Sequence, residues 1–551
     1  MSEKYTIGID FGSLSARALL VRISDGAEII DAVTEYPHAV MSDRLAASKK
    51  PLPHSFALQD PSDYVYSMTE SVRCVVRDSG VAPEEIIGIS VDFTCCTLLP
   101  IYSDLSPLCA DERFSEEPHA YVKLWKHHSA QPYAKKLNKI AKERGESWLP
   151  YYGGCVSSEW LFPKLWETLD KAPDVYNSAY RFIEAGDWIS SLLVGRLVKS
   201  YNYAAIKAMY INGVGYPSPD FLAALDERLR TAVEDKLDAP LVRFGERCGM
   251  LCPEMAEKLG LTVNTAVGCP QSDAHTASLA LGAASPGDLV ALMGTSAPFI
   301  MVQDKFASVP GTCGCLEDTV ISGLWGYESG LCCFGDLFAW AAENIAPEPY
   351  LKEAKKRDIP LVKYLISLAS EKKPGETGLI ALDWWNGNRS TLNDSDLTGM
   401  IIGMTLATRP EDIMRALVES TAFATRVIFD AHEKAGVPIK RVIAAGGIAK
   451  KDPFTTQLFA DVLGINIEVP KSKLSSSLSS AIHAAIASGC DPDKTVKQMS
   501  TPIEKVYVPN PEAKSVYDEL YAEYVKLYDF FGRDQDSVMK RLIKIKNRKG
   551  I

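Results

Sequence analysis

The sequence predicts an α/β protein of two domains that share one plan, and three observations support this fold class. The chain has 551 residues, which is more than a single hydrophobic core accommodates. Segments with the pattern of strands alternate with segments with the pattern of helices, which favours α/β over all-α or all-β folds. Two similar strand-turn-strand segments lie near the beginnings of the two halves, at residues 5–24 and 288–302.

The first of these segments joins two apolar runs through a Gly-Ser turn, which is a β-hairpin pattern. Asp10 precedes the turn, Gly12 and Ser13 form it, and Arg17 follows it. Backbone N–H groups, a hydroxyl and a guanidinium can converge there on one small anion, and a carboxylate beside such a cradle suits Mg²⁺ with its waters. The alternative is an ordinary hairpin in which Gly and Ser only turn the chain.

The second segment repeats this arrangement, with an apolar run, the turn Gly294-Thr295-Ser296 and a second apolar run. Two half-chains that each open on a phosphate-sized turn predict a duplicated fold that holds one nucleotide. Pro286-Gly287 is the best boundary between the halves and divides the chain into ranges 1–285 and 286–551.

Local patterns predict the other elements of the first half. Ligands of open α/β sheets gather where strands end, so residues 92–96, after a buried strand, are a candidate site. The predicted elements are a third strand at 27–34, a helix at 61–78, a strand at 86–91, helices at 121–143, 160–169 and 185–194, a strand at 263–267 and a helix at 273–282.

In the second half, Thr408 and Glu411 have the spacing of a capping box at the start of a long helix that reaches Gly436. Four tyrosines at helical spacing near the end predict core packing, and the basic residues from Lys540 predict a solvated helix end. The predicted elements that follow residue 436 are a strand at 441–445, a helix at 452–463, a strand at 465–469 and a helix at 475–488, and the four tyrosines are Tyr517, Tyr521, Tyr524 and Tyr528.

Composition and missing motifs exclude several function classes. The net charge of −11 argues against a broad electrostatic surface for nucleic acid or anionic lipid. No run is long enough to span a bilayer, and no secretory signal is visible. Glycine-rich P-loop and dinucleotide-binding motifs are absent. We therefore expect a protein without nucleic-acid or membrane partners, and a homodimer is compatible with the sequence.

The cysteines predict a reducing compartment. The chain has 13 of them, an odd number without a regular disulfide framework, so reduced thiols in the cytoplasm fit best. Cys248 with Cys252 and Cys313 with Cys315 have some of the spacing of metal ligands, but no complementary histidine or second cysteine pair accompanies them. Zinc is not expected.

Four motifs, taken in order, resemble those of the FGGY carbohydrate kinases, and the likeness spans nearly the whole chain. Further segments are similar to the members of that family that phosphorylate L-ribulose. The four motifs are Asp10-Phe-Gly-Ser13, Gly268-x-x-x-x-Asp273-Ala, Gly294-Thr-Ser296 and Gly446-Gly447-Ile448-x-x-x-x-Pro-Phe, and the further segments lie at 91–100, 123–128, 157–160, 205–209 and 326–330.

The resemblance implies two ribonuclease-H-like domains of the actin/hexokinase ATPase type around a central cleft. The sugar would bind to residues 1–285 and MgATP to residues 286–551, with closure that keeps water from the transferred phosphoryl group. The implied reaction converts L-ribulose and ATP to L-ribulose 5-phosphate, a step of L-arabinose catabolism. Three alternatives remain: a kinase for D-ribulose, xylulose or ribitol, an actin-like ATPase module without sugar kinase activity, and a sugar-binding regulator without catalysis.

The resemblance also implies roles for single residues. Asp273 would be the general base for the sugar hydroxyl, although an aspartate at the start of a helix is also a typical N-cap. Asp10 would hold Mg²⁺ through water. The nucleotide would contact two sets of residues, a phosphate cradle of Gly294, Thr295 and Ser296 faced by Gly12, Ser13 and Arg17, and an adenosine site at Gly446 and Gly447.

For the sugar, Lys207 and Glu328 match positions that bind pentulose hydroxyls in this family. Trp125 would lie against the apolar face of the sugar, and Cys95 would offer its backbone amide. A polyol needs many hydrogen bonds on fixed groups, because unpaired buried polar groups penalise the wrong substrate. Two departures from the family pattern, Cys95-Cys96 and the run that begins at His275, affect the details of substrate recognition rather than phosphoryl transfer.

Overall fold

The computed structural model describes residues 3–53, 55–394, 396–534 and 538–548. Its strands are β1 (Tyr5–Phe11), β2 (Ser15–Arg22), β3 (Glu28–Glu35), β4 (Leu58–Gln59), β5 (Ile86–Phe93), β6 (Leu98–Ile101), β7 (Val122–Lys123), β8 (Arg181–Glu184), β9 (Lys199–Ser200), β10 (Leu241–Val242), β11 (Arg247–Met250), β12 (Ala266–Gly268), β13 (Gln271–Ser272), β14 (Asp288–Leu292), β15 (Ala297–Gln303), β16 (Gly314–Glu317), β17 (Trp325–Leu331), β18 (Ile380–Leu382), β19 (Met400–Ile402), β20 (Arg441–Ala445), β21 (Ile467–Pro470) and β22 (Ile503–Tyr507).

Its α-helices are α1 (Pro61–Ser79), α2 (Gln131–Arg144), α3 (Leu161–Lys171), α4 (Pro173–Ser178), α5 (Ala185–Val194), α6 (Tyr201–Ala208), α7 (Pro219–Leu225), α8 (Pro253–Leu259), α9 (Asp273–Ala280), α10 (Gly335–Ile345), α11 (Glu348–Lys356), α12 (Leu361–Ser370), α13 (Pro410–Lys434), α14 (Gly447–Lys451), α15 (Pro453–Leu463), α16 (Ser475–Ala487), α17 (Pro492–Met499), α18 (Pro511–Gly532) and α19 (Val538–Arg548).

The chain forms two compact units that are not continuous in sequence. The first unit comprises Met1–Ala284, Leu316–Gly326 and Leu474–Thr501, and the second comprises Ser285–Cys315, Tyr327–Lys473 and Pro502–Ile551. Two segments that follow the sequence boundary at residue 285, at 316–326 and 474–501, therefore pack with the first unit. The division into functional domains 1–285 and 286–551 stays a prediction.

The two units have sheets with the same arrangement of core strands. In the first, the order is β11-β12-β5-β1-β2-β3, with β1 antiparallel to β2 and parallel to β5. In the second, the order is β16-β17-β15-β14-β20-β21-β22, with β14 antiparallel to β15 and parallel to β20. Both predicted hairpins thus form, and each places its turn at the carboxyl end of the leading strand.

Helix α16 packs on the first sheet through two glycines. A Cβ atom at Gly8 in β1 would lie 1.8 Å from the carbonyl oxygen of Ser477, and one at Gly88 in β5 would lie 2.5 Å from that of Ala484. Because real Cβ atoms do not approach backbone so closely, these positions let the helix lie directly on the strands. Several buried aliphatic side chains of α16 complete this contact and belong to the core of the first unit.

Two predictions about helices are wrong. Residues 121–143 do not form one helix, because β7 pairs with β4 and β6 before α2 begins at Gln131. The cap of α13 is also placed differently, since the N–H of Arg409 donates to the carboxylate of Asp412 at 2.9 Å. At residues 121–130 tertiary strand pairing overrides a helical pattern. In α13 the capping pair is Arg409 with Asp412 rather than the predicted Thr408 with Glu411, a shift of one residue.

The predictions for the four tyrosines and for the absence of a disulfide framework are confirmed, whereas the predicted solvated helix end is wrong at Lys540, which is buried and pairs with Asp394 at 2.7 Å. The tyrosines of α18 are buried, and none of the described cysteines forms a disulfide. No described helix is long and apolar enough to cross a bilayer. The four tyrosines are Tyr517, Tyr521, Tyr524 and Tyr528.

Candidate active-site residues

In the first unit, three carboxylates gather where parallel strands end. Asp10 in β1 lies opposite Asp92 in β5, and β13 pairs with the end of β5 immediately before Asp273. Asp10 also lies opposite Arg17 in the antiparallel register of β1 and β2. The sheet topology thus brings together residues that are far apart in sequence, as open α/β sheets do at their carboxyl edges.

These carboxylates influence one another. Burial raises the pKa of Asp92 well above its usual range, and the negative charges of Asp10 and Asp273 raise it further, against a hydrogen bond from Ser480 at 2.6 Å. Burial also raises the pKa of Asp10, which a hydrogen bond with Asp92 and the charge of Arg17 oppose. Burial therefore acts on both carboxylates in the same direction, and Arg17 opposes it at Asp10.

Asp273 is the first residue of α9, and Ser272 is the N-cap position. One carboxylate oxygen of Asp273 accepts the N–H of Ala274 at 2.7 Å, and the N–H of Ser272 donates to the side chain of Asn202 at 3.0 Å. Helix α6 therefore fixes the start of α9 through Asn202. A carboxylate in the first turn of a helix is stabilised in its ionised form.

The turn of the first hairpin is tied to neighbouring loops. The indole N–H of Trp125 donates to the hydroxyl of Ser13 at 3.1 Å, and Gln59 donates to the carbonyl of Ser13 at 2.8 Å. The N–H of Gly12 donates to the carbonyl of Ser15 at 3.0 Å. The guanidinium of Arg17 forms an ion pair with Asp31 of β3 and is about one third exposed. The structure therefore joins Trp125, a candidate for the sugar, to Ser13, a candidate for phosphate.

Cys95 lies in the turn between β5 and β6, where Cys96 adopts a positive φ of 61°. Lys207 is buried at the end of α6, and its ammonium nitrogen lies 5.3 Å from the centre of the Trp160 ring. A cation at this distance from an indole is held electrostatically. Trp160 thus packs beneath a candidate sugar ligand.

In the second unit, the turn Gly294-Thr295-Ser296 is held by the start of α10. The N–H of Gly335 donates to the carbonyl of Gly294 at 3.1 Å, and the N–H of Phe334 donates to that of Thr295 at 3.0 Å. A Cβ atom at Gly335 would lie 2.6 Å from the oxygen of Gly294, so a larger residue there would displace the turn. No local sequence pattern indicates this role of Gly335.

The turn at Gly446 and Gly447 joins the same framework through Met293. The N–H of Met293 donates to the carbonyl of Ala445 at 2.8 Å, and the carbonyl of Met293 accepts the N–H of Ile448 at 3.2 Å. Gly446 has φ 93° and ψ 175°, a backbone region that is nearly specific to glycine. The two predicted nucleotide turns of the second unit are therefore adjacent, although they lie far apart in sequence.

Glu328 lies in β17 and is partly exposed between buried neighbours, and its carbonyl accepts the N–H of Cys313 at 2.7 Å. It belongs to the second unit, whereas Cys95, Trp125 and Lys207 belong to the first.

The cluster of Asp10, Asp92 and Asp273 is compatible with a magnesium ion that is held through water. Within the described ranges, no three histidine, cysteine, aspartate or glutamate side chains are arranged to bind a metal directly. Mg²⁺ usually keeps several waters and uses only one or two protein carboxylates, and Asp10 offers one in β1. Asp92 belongs to the candidate segment 92–96 that the sequence indicates at a strand end, but sequence reasoning missed Ser480, whose contact with Asp92 no local pattern shows.

Comparisons with known proteins agree with these features. A model of the FGGY family of carbohydrate kinases, C-terminal domain, matches residues 289–488. The chain is 46% identical to a ribulokinase of Bacillus licheniformis over 540 residues, which are 97% of this chain and 98% of that protein. It is 44% identical to a ribulokinase of Halalkalibacterium halodurans, with 99% and 98% covered, and 42% identical to one of Mycolicibacterium smegmatis, with 98% and 96% covered.

Solved structures show the fold. A xylulose kinase from Lactobacillus acidophilus superposes with a TM-score of 0.77 at 20% identity, with 96% of this chain and 98% of that chain covered. Glycerol kinase from Plasmodium falciparum with ADP superposes with a TM-score of 0.74 at 15% identity, with 95% and 98% covered. The predicted fold class, with two α/β units of the actin/hexokinase type, is confirmed.

Proposed function

Because the chain belongs to the FGGY family of carbohydrate kinases, we propose that it transfers the γ-phosphoryl group of ATP to L-ribulose and forms L-ribulose 5-phosphate. L-ribulose is proposed as the sugar because the chain is similar to ribulokinases over nearly the full length of both chains. A kinase for another pentulose or pentitol, which the sequence left open, differs from this proposal only in the sugar.

In the proposed reaction, Asp273 accepts the proton of the terminal sugar hydroxyl as its oxygen attacks the γ-phosphorus. Phosphoryl transfer has a loose transition state, so the base mainly orients the hydroxyl. The first-turn position on α9 and the contact of Ser272 with Asn202 hold this carboxylate in one place.

Mg²⁺, held through water by Asp10, would offset the negative charge of the phosphates. The protein would contribute two phosphate turns, one with Gly12, Ser13 and Arg17 and the other with Gly294, Thr295 and Ser296. Gly446 and Gly447 would contact adenosine. For the sugar we propose the ammonium of Lys207, the ring of Trp125, the backbone amide of Cys95 and the carboxylate of Glu328.

A coupled assay of ADP release tests this proposal with L-ribulose, D-ribulose, L-xylulose, D-xylulose and ribitol as separate substrates. We expect the highest kcat/KM for L-ribulose and negligible ADP release without sugar. A higher value for another sugar would reassign the substrate. Sugar-independent ADP release would favour an ATPase module, and sugar-induced stabilisation without ADP release would favour a regulator.

The role of Asp273 is tested by Asp273→Asn, which keeps the size and the hydrogen-bond acceptor of the side chain. We expect kcat to fall by about 10²- to 10⁴-fold, as is typical for loss of a general base, with an unchanged melting temperature. Near-normal kcat in the folded variant would contradict the role.

A further inference from the structure

A buried lysine of α3 binds three backbone carbonyls. Lys164 has no exposed surface, and its ammonium donates to the carbonyl oxygens of Cys96 at 2.6 Å, Leu124 at 2.8 Å and Lys123 at 3.3 Å. An ammonium has three N–H donors, so these bonds use all of them. Lys164 therefore joins two separate loops of the first unit.

Each of these loops carries a candidate sugar ligand next to the bonded carbonyl. Cys96 directly follows Cys95, and its positive φ of 61° strains a non-glycine residue. Leu124 directly precedes Trp125, whose ring nitrogen contacts Ser13. The ammonium thus fixes the Leu124–Trp125 peptide unit and the Cys96–Thr97 peptide unit in the turn that contains Cys95.

Glu184 holds the other side of the same turn. Its carboxylate accepts the N–H of Thr97 at 2.9 Å, and the carbonyl of Thr97 accepts the N–H of Ala185 at 2.8 Å. Burial raises the pKa of Glu184 to about 7, and the positive charge of Lys164 is the largest influence that opposes this rise. The strained residue Cys96 is therefore flanked by a buried cation and a buried acid.

A third candidate ligand is contacted by the residue that begins α3. Trp160 is the N-cap residue of this helix, and its carbonyl accepts the N–H of Lys164 at 3.4 Å. The Trp160 ring lies 5.3 Å from the ammonium of Lys207. The first turns of α3 and its N-cap residue thus contact the elements that carry Cys95, Trp125 and Lys207.

Packing alone does not require a lysine at this position. Burial of an ammonium is unfavourable unless its hydrogen bonds are satisfied, and an apolar side chain of similar volume is often equally stable at such sites. The burial also lowers the pKa of Lys164. What an apolar side chain lacks is the ability to fix three carbonyls at once.

We propose that Lys164 is a positioning residue for the sugar, which fixes the Cys95 amide and the Trp125 ring through the carbonyls of Cys96 and Leu124. This inference rests on the proposed sugar kinase function. It predicts that loss of the ammonium impairs recognition of the sugar more than that of ATP, because the bonded carbonyls of Cys96 and Leu124 adjoin the sugar candidates Cys95 and Trp125, whereas the phosphate candidate Ser13 contacts this network only through the Trp125 indole.

The test compares Lys164→Met and Lys164→Gln with the wild-type protein in the coupled assay. For Lys164→Met we expect the KM for L-ribulose to rise by about 10- to 100-fold, since small misplacements of binding groups have effects of this size. The KM for ATP should stay within about 2-fold of the wild-type value, which corresponds to less than about 0.5 kcal/mol. Lys164→Gln retains two N–H donors and should give an intermediate value.

Lys236→Met is the matched control. Lys236 is a partly buried lysine of the same unit whose ammonium also donates to backbone carbonyls, those of Ala179 at 2.6 Å and Asn177 at 3.5 Å, and none of the candidate sugar ligands is among its partners. This variant should lower the melting temperature and leave the KM for L-ribulose unchanged. If Lys164→Met does not fold, the same comparison is made with Lys164→Gln.

Two results would overturn the inference: an unchanged KM for L-ribulose in a folded Lys164 variant, or an equal rise in the Lys236→Met control. Failure of the proposed function has a different signature, because the wild-type protein itself would then not phosphorylate L-ribulose. If the wild-type protein prefers another pentulose, the KM for that sugar decides the role of Lys164.

Discussion

The adjacent glycines 446 and 447 allow steric and ligand-binding effects to be separated. In Gly446→Ala, the new Cβ atom would lie 2.7 Å from the carbonyl oxygen of Met293, on a backbone with φ 93°. Backbone strain and overpacking each contribute about 1–3 kcal/mol, so we expect a loss of about 3 kcal/mol in the free energy of unfolding. For a unit of this size, that loss lowers the melting temperature by about 6–12 °C.

Gly447→Ala is the control for this substitution. A Cβ atom there meets no atom within 4 Å, and alanine favours helix over glycine at the first position of α14. The melting temperature should stay the same or rise slightly. If the open space beside Gly447 receives adenosine, however, the KM for ATP should rise by about 10-fold or more, which corresponds to about 1.4 kcal/mol or more.

Differential scanning calorimetry gives the two melting temperatures, and the coupled assay gives KM for ATP at saturating sugar. A wild-type melting temperature for Gly446→Ala would refute the steric reasoning. A wild-type KM for ATP in Gly447→Ala would remove that glycine from the nucleotide site. In both variants the KM for the sugar should remain close to the wild-type value.

Two further predictions concern the first unit. The pKa of Glu184 is about 7 in the folded protein against an ordinary value of 4.5. The folded protein therefore holds this proton more tightly than the unfolded chain does. The resulting contribution to the free energy of unfolding is fully present below about pH 4.5 and is lost as the pH rises through 7. Relative to wild type, Glu184→Gln should therefore gain up to about 3 kcal/mol in unfolding free energy between pH 4.5 and 8, measured by urea denaturation, and a pH-independent difference would contradict this. Gly8→Ala places a Cβ atom 1.8 Å from the carbonyl of Ser477, so α16 must move and we expect a loss of more than about 3 kcal/mol; a wild-type urea midpoint would show that the helix does not lie on this strand.

Local sequence patterns are sufficient to predict the repeated plan of the protein. Hairpin turns are local features, because glycine and serine between two apolar runs specify them without help from the rest of the chain. Both predicted hairpins form at their predicted positions. The ordered motifs that resemble a kinase family are likewise contained in the sequence, and they indicate Asp273 and the two phosphate turns as candidates.

Other features depend on partners that are distant in sequence. Residues 121–130 have a helical pattern, but strand pairing by β7 prevents the helix. Ser480 contacts Asp92 only because α16 lies on the first sheet, 388 residues further along the chain. No local pattern carries such information, since it arises from which surfaces pack together.

Lys164 shows most clearly the difference between what local sequence patterns predict and what long-range packing decides. In the sequence it is one lysine of an amphipathic helix, where a solvated ammonium would be the default expectation. Only the folded chain buries it and places three carbonyls around its nitrogen. Local spacing in the sequence thus specifies the fold plan and the candidate chemistry, whereas long-range packing selects the groups that hold the candidate ligands in position, because hydrogen-bond satisfaction of buried groups is a property of the folded state.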